Sequence, residues 1–259
     1  MDFLSAVVLG LVEGITEFLP VSSTGHLILF NEWFSFAPDF TKMFDVVIQF
    51  GAILAVLVVF AKKLFPRPSS PSSFALWKRF AVSVTPALVL GALFGSKIQA
   101  ALFDPVVVAI ALIVGGVILL VVEHRKPKTT LTDLGKLSYV KAFAIGCIQC
   151  LAFIPGTSRS AATIIGAMLL GASRTAATEY SFFLAVPTMA AASAYSIIKN
   201  PVALSGSDFV ILTIGFITAF LSALIVIRLF LQYIRTKTFA PFAYYRIIIG
   251  VVILLFFAR

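Results

Sequence analysis

Two glutamates, Glu13 and Glu17, stand four residues apart in an otherwise apolar stretch, so on a helix both carboxylates project from one face. A charged side chain at membrane depth costs roughly 2.5–3.5 kcal/mol on insertion scales. A pair kept there points to a divalent-cation site, a general acid/base pair, or both. The plain alternative is a hairpin lying shallow enough for both acids to be wet. Shortly after them, Ser22-Ser23-Thr24-Gly25-His26 brings three hydroxyls and one of the chain's two histidines within a turn or two of the acids. A lone histidine is often structural, but this neighbourhood suits catalysis. In the other half, Pro155-Gly156-Thr157-Ser158-Arg159-Ser160, with Thr163 one helical turn on, joins glycine, hydroxyls and a guanidinium. At a helix N-terminus those groups make an anion site, because free N–H groups, the helix dipole and a bidentate arginine all favour phosphate oxygens. A snorkelling arginine is the alternative there.

Together these residues read as a phosphoryl-transfer site: arginine and N–H groups stabilise the transferring group, the acids hold a metal or move protons, and a serine or histidine attacks phosphorus. Its substrate is expected to be an anionic phosphate on a greasy tail. His124, in Glu123-His124-Arg125-Lys126, reads as part of a solvated loop, and Arg174 as a snorkelling or supporting residue near the end of its stretch. Cys147 and Cys150 have neither a second Cys/His pair nor a βαβ setting, so they read as two small residues packed on a helix.

The elements that position these groups follow from composition. Of 259 residues, 60% are apolar and 12% charged, and the mean hydropathy is +1.07. That excludes an ordinary soluble domain, with about 25% charged residues, and disorder, which needs the opposite balance. The chain is read as an all-α polytopic membrane protein. Its net charge of +9 comes from short basic loops between apolar runs, so nucleic acid is not expected as a partner. The opening MDFLSAVVLGLVEG carries an acid where a secretory leader needs basic residues, and is read as retained structure.

Six runs read as spanning helices: Phe44–Phe60, Phe80–Phe94, Val106–Val122, Tyr180–Ile198, Phe209–Leu231 and Tyr244–Phe257. The shorter ones need flanking residues to complete a span. Phe3–Trp33 and Tyr139–Leu170 are instead cut near the middle, at Leu19–Gly25 and Ile154–Ser160. Backbone freed at membrane depth must be satisfied by protein or a wet cavity, so each reads as a re-entrant helix–loop–helix. Lys62, Lys63, Arg67, Lys78 and Arg79, then Arg125, Lys126, Lys128, Lys136 and Lys141, then Arg235 and Lys237 flanked by Arg228 and Arg246, mark the cytoplasmic loops. Both termini and the first hairpin then lie on the outer side.

The halves repeat. Pro20-Val-Ser-Ser23 matches Pro155-Gly-Thr-Ser158, and Gly115-Gly-Val-Ile-Leu-Leu120 matches Gly250-Val-Val-Ile-Leu-Leu255, both at an offset of 135 (20 to 155, 115 to 250). Gly10-Leu-Val-Glu13 faces Gly146-Cys-Ile-Gln149 one residue out of that register. One re-entrant hairpin plus three spans per half, about 1–124 and 136–259 of a single domain 1–259, gives an odd number of crossings and therefore an inverted-topology repeat. The two broken loops are expected to meet near the membrane midplane.

On these residues the chain resembles the bacterial undecaprenyl-diphosphate phosphatases of the bacitracin-resistance type. Glu13-Gly-Ile-Thr-Glu17 is similar to the family's (E/Q)xxxE motif, Pro20–His26 to its serine–histidine loop, and Pro155–Thr163 to PGxSRSxxT. Phe44–Gly51 and Phe183–Pro187 extend the likeness along nearly the whole chain. The resemblance implies hydrolysis of the C55 isoprenyl diphosphate to the monophosphate, recycling the lipid carrier of cell-wall synthesis. It further implies a bacterial inner membrane location, a site opening to the periplasm, and Mg²⁺ or Ca²⁺. In that reading Ser23 is the nucleophile and His26 or Glu17 manages its proton, with a His26 nucleophile or direct attack by water left open. Arg159 with Ser158 holds the diphosphate, and Ser22, Thr24, Gly156, Thr157, Ser160 and Thr163 line its site. Glu13 and Glu17 hold the cation. A type-2 phosphatidic-acid phosphatase needs a second histidine where Ile165 stands. A lipid-phosphate or anion transporter binding without cleavage is the alternative of a different class. A homo-oligomer is compatible with spans whose lipid and dimer contacts look alike.

Overall fold

The computed structural model describes residues 2–65, 71–102, 104–199 and 203–257; Arg67 of the first basic loop lies outside the described residues. Eleven helices follow in order: α1 Asp2–Thr16, α2 Ser23–Phe34, α3 Pro38–Val59, α4 Ala61–Leu64, α5 Pro71–Leu102, α6 Pro105–Arg125, α7 Tyr139–Gln149, α8 Arg159–Leu169, α9 Arg174–Lys199, α10 Gly206–Ile234 and α11 Ala240–Phe257. Six of them, α3, α5, α6, α9, α10 and α11, are long and apolar enough to cross a membrane. The span expected at Phe80–Phe94 lengthens to Ala75–Gly95. Local chemistry sets the helix starts. Asp104 caps α6 by accepting from the Val106 and Val107 N–H groups, and Ser205 with Asp208 forms a reciprocal capping box on α10.

The polarity of the molecule is that of a membrane protein. Glu13, Thr163, Ser181 and Arg246 are fully buried, whereas Val140 and Ile198 are each 80% exposed. On α6 an outer stripe of Ile110, Val114, Val117, Ile118 and Val121 is exposed, as a lipid-facing surface requires. Where α1 meets α10, the backbones approach so closely that a Cβ on Gly14 would lie 2.4 Å from the Ala219 carbonyl oxygen.

The order of elements recurs. Pro71 and Gly206 open α5 and α10, and Pro105 and Ala240 open α6 and α11, each pair 135 positions apart (71 to 206, 105 to 240). Helices exchange partners between the halves: α1 and α3 pack on α10, while α7 and α9 pack on α5. In the hairpins the structural equivalence differs by one from the Pro20–Pro155 match. The capping residues are Ser22 and Ser158, 136 apart (22 to 158), with nearly equal backbone angles of φ 71° and 70°. The register of Gly10 and Gly146 is thus the one the backbone follows, and it sets Glu13 against Gln149.

The basic ends gather on one side of the bundle. Lys63 pairs with Glu179 at 2.8 Å, Arg79 donates to the Leu137 and Gly135 carbonyls, and the Trp77 indole N–H donates to the Leu64 carbonyl. His124 is exposed there, as expected, but in the last turn of α6 and not in the loop that follows. Glu123 beside it is not solvated. It is 6% exposed, pairs with Arg174 at 2.5 Å and accepts the Phe239 N–H, tying the ends of α6, α9 and α11 together. Arg174 is therefore bound in an ion pair at the bundle end, away from the hairpin loops. Cys150 is half-buried and Cys147 is exposed, so the packing expected for both holds only in part.

Candidate active site

Each hairpin breaks in the same way. Glu17 still donates its N–H to the Glu13 carbonyl, after which the chain leaves the helix, passes Leu19–Val21 and re-enters it at Ser22. Ser22 accepts the Gly25 N–H at 3.4 Å, and Ser158 accepts the Ala161 N–H at 3.2 Å. Positive φ at a serine costs of order 1–3 kcal/mol and persists only where the surroundings hold it. Gly156, at φ 91°, needs glycine for a second reason: a Cβ there would sit 2.3 Å from the Val108 carbonyl oxygen.

The hairpins meet through side chains. Arg159 donates from Nη2 to Glu17 Oε1 at 2.7 Å, and Ser23 Oγ donates to Glu17 Oε2 at 2.6 Å. One carboxylate thus joins the serine of the first loop to the guanidinium of the second. Arg159 also donates from Nη1 to the Ser181 carbonyl at 2.8 Å, and its Nε is buried without a partner. Ser160 Oγ donates to the Leu19 carbonyl at 2.8 Å and lies 2.9 Å from Ser158 Oγ. Thr163 Oγ1 lies within hydrogen-bond distance of Ser181 Oγ, at 2.6 Å, and of the Arg159 and Ser160 carbonyls of its own helix, with a single proton to share among them. Thr24 and Thr157 are half-buried.

His26 lies in the first turn of α2, and its ring nitrogens bond to groups other than Ser23 Oγ. Its Nδ1 is 2.7 Å from the Ser22 carbonyl oxygen, which can only accept, so Nδ1 carries the proton. In the neutral ring Nε2 then accepts from the Tyr245 hydroxyl, 2.7 Å away, with the two rings stacked 9° from parallel. The group in contact with Ser23 Oγ is Glu17.

Glu13 is fully buried, and neither of its carboxylate oxygens has a partner. Two orphaned acceptors in the protein interior, with the Glu17 and Asp45 carboxylates as neighbours, are the chemistry a cation satisfies. Among the described residues no group of three His, Cys, Asp or Glu converges on one point.

Several residues of the site carry no signal in the motifs: Ser181 and Met189, which both contact Arg159, then Tyr245, and above all Arg246. The sequence places Arg246 with the basic loop flanks. The structure corrects this: Arg246 is fully buried and donates to carbonyls of both broken loops. Its position seven residues into α11 is the available clue, since that depth takes it well past the loop.

Six membrane-capable helices around two broken hairpins, joined by a serine–carboxylate–guanidinium chain, define a polytopic membrane protein with a buried polar cluster between its hairpins. Residues 6–252 match the family described as bacitracin resistance protein BacA, and the chain belongs to that family. It is 46% identical to undecaprenyl-diphosphatase 1 of Clostridioides difficile (strain 630), over 99% of this chain and 97% of that protein. It is 48% identical to the undecaprenyl-diphosphatase of Polaromonas naphthalenivorans (strain CJ2), over 97% and 94%, and 47% identical to undecaprenyl-diphosphatase 3 of Acinetobacter baylyi, over 98% and 97%.

Proposed function

We propose that this protein hydrolyses undecaprenyl diphosphate to undecaprenyl phosphate and inorganic phosphate within the membrane. The observation that carries the reading is the Ser23–Glu17–Arg159 chain, which sets a nucleophile, its proton acceptor and a phosphate-binding cation in direct contact. The relatives' shared name supports the same substrate.

Ser23 Oγ attacks the terminal phosphorus while its proton passes to Glu17 Oε2, 2.6 Å away. The bond from that phosphorus to the bridging oxygen breaks, and the lipid monophosphate leaves with the bridging oxygen. Water then attacks the phosphoserine and its proton stays with the phosphate, while Glu17 returns the proton it holds to Ser23 Oγ as that oxygen leaves, freeing inorganic phosphate and restoring both residues. Arg159 and the first-turn N–H groups of α8 bear the charge of the transferred group. His26, held by Ser22 and Tyr245, shapes the loop that carries Ser23. Glu13, with Glu17 beside it, would hold Mg²⁺ or Ca²⁺, and such an ion neutralises phosphate charge when bound. The two halves are taken as inverted repeats in the bacterial inner membrane, with the basic end in the cytoplasm and the first hairpin open to the periplasm; the gathering of basic ends on one side supports this orientation.

Purified protein in detergent is expected to release phosphate from an isoprenyl diphosphate, and to lose that activity with Arg159→Ala or on chelation of divalent cations. Folded wild-type protein that binds the lipid but releases no phosphate would defeat the proposal.

A further inference from the structure

Arg246 lies fully buried on α11 and meets five carbonyl oxygens: Leu112 from Nε, Pro20 from Nη1, and Ala111, Gly156 and Thr157 from Nη2, at 2.9–3.3 Å. Its acceptors therefore include both broken loops and the α6 backbone between them. The cradle is shaped for it. A Cβ on Gly115 would fall 2.1 Å from Nη2, so α6 leaves out a side chain where the guanidinium lies.

Two features go beyond packing. First, all five acceptors are neutral, and none of the ion pairs among the described residues includes Arg246. A buried charge is strongly disfavoured unless paired, and carbonyl dipoles answer it only in part. Second, C=O and N–H of a trans peptide point in opposite directions. Holding the Thr157 carbonyl therefore turns the Ser158 N–H away from Arg246, and this N–H has no acceptor among the described residues. The strained Ser158 that follows, at φ 70°, is fixed by the same grip.

We infer that Arg246 is a positioning residue for the diphosphate: it locks the two broken loops in register, turns the Ser158 N–H toward the phosphate, and leaves a positive charge that the bound anion answers. The inference rests on the diphosphate reading of the site. It predicts that charge, and not hydrogen bonding alone, is what position 246 contributes to substrate affinity.

The test is calorimetric binding of a non-hydrolysable, methylene-bridged isoprenyl diphosphonate to wild type, R246K, R246Q and R246M in detergent, alongside KM and kcat for the diphosphate. R246Q and R246M are expected to weaken analogue binding roughly 10- to 100-fold and to raise KM more than they lower kcat. R246K, which restores the charge, is expected to recover most of the affinity. If the neutral variants do not fold, Gly115→Ala displaces the guanidinium while keeping its charge and the loop sequences. Weakened analogue affinity in that variant supports the inference, and unchanged affinity overturns it. Wild-type affinity in R246Q, or equal loss in R246K and R246Q, overturns it as well. No analogue binding by wild type would defeat the diphosphate reading and this inference together.

Discussion

The two hairpins share a backbone and divide the chemistry. α1–α2 and α7–α8 each break before a serine at φ near 70°, and each serine caps the helix that follows. On that common frame the first hairpin carries Glu13, Glu17, Ser23 and His26, and the second carries Arg159. The position equivalent to Glu13 holds Gln149, 2% exposed. Its Oε1 lies 3.4 Å from Thr188 Oγ1, whose hydroxyl also reaches the Leu184 carbonyl at 2.8 Å, and its Nε2 is buried without a partner. Glu13 has Glu17, Asp45 and Arg159 as its charged neighbours, and neither of its oxygens accepts a hydrogen bond. One hairpin thus leaves a single uncharged amide nitrogen unpartnered at this position, and the other leaves two carboxylate oxygens. The comparison teaches that the repeated fold supplies two helix N-termini aimed at one place, while a few side chains decide which end handles nucleophile and cation and which handles the anion.

The largest effect is expected where the hairpins touch. Glu17→Gln keeps the size of the side chain but removes both the proton acceptor for Ser23 and the anionic partner of Arg159. Phosphate release should fall by roughly 10³-fold, the upper range for losing a catalytic base with its electrostatic partner. An activity within a few-fold of wild type would remove Glu17 from the chemistry and break the link between the two loops. Glu13→Gln is next: it should raise the divalent-cation concentration for half-maximal activity by roughly 10- to 100-fold, as read by metal titration, and weaken Mn²⁺ binding followed by electron paramagnetic resonance. An unchanged cation requirement would mean that the orphaned carboxylate serves something other than a metal. The bundle end provides the contrasting case. Glu123→Ala strips the buried partner of Arg174 and the acceptor of the Phe239 N–H, and should cost about 3 kcal/mol of stability. A lowered melting temperature with kcat retained in the folded fraction would separate this ion pair from the buried one at Arg159.

Legibility in the sequence followed the physics of each feature. The six spans show as long apolar runs, because the membrane imposes length and hydropathy on a single helix at a time. The breaks show because proline with small polar residues cannot continue a lipid-exposed helix. Glu13, Glu17 and Arg159 stand out as charges in apolar context. Arg246 stands in similar context, yet it lies close enough to Arg235 and Lys237 to merge with the loop charge, and only the fold shows that its partners come from residues 20, 111, 112, 156 and 157. Ser181 and Tyr245 were hidden for a related reason. Serines and tyrosines are common in spans, and what singles these two out is contact with residues far away in sequence. The hairpin equivalence was legible only to within one residue, since the paired prolines mark the breaks while the capping serines mark where the helices restart.

The smallest effect tests why one hairpin has a histidine where the other has none. Tyr245→Phe retains the ring stacked on His26 but removes the hydroxyl that satisfies Nε2. If His26 serves to hold the loop, through its Nδ1 proton on the Ser22 carbonyl, that second bond is worth about 1 kcal/mol, and activity should drop only about 5-fold, with the shape of the pH profile unchanged. If His26 is instead the base, freeing Nε2 releases its proton-accepting site, and the acidic limb of the profile should move. A displaced limb in Tyr245→Phe would transfer the proton from Glu17 to His26 and give the first hairpin an internal catalytic pair. An unmoved limb leaves Glu17, among the described residues, as the one that reaches both the serine of one hairpin and the arginine of the other.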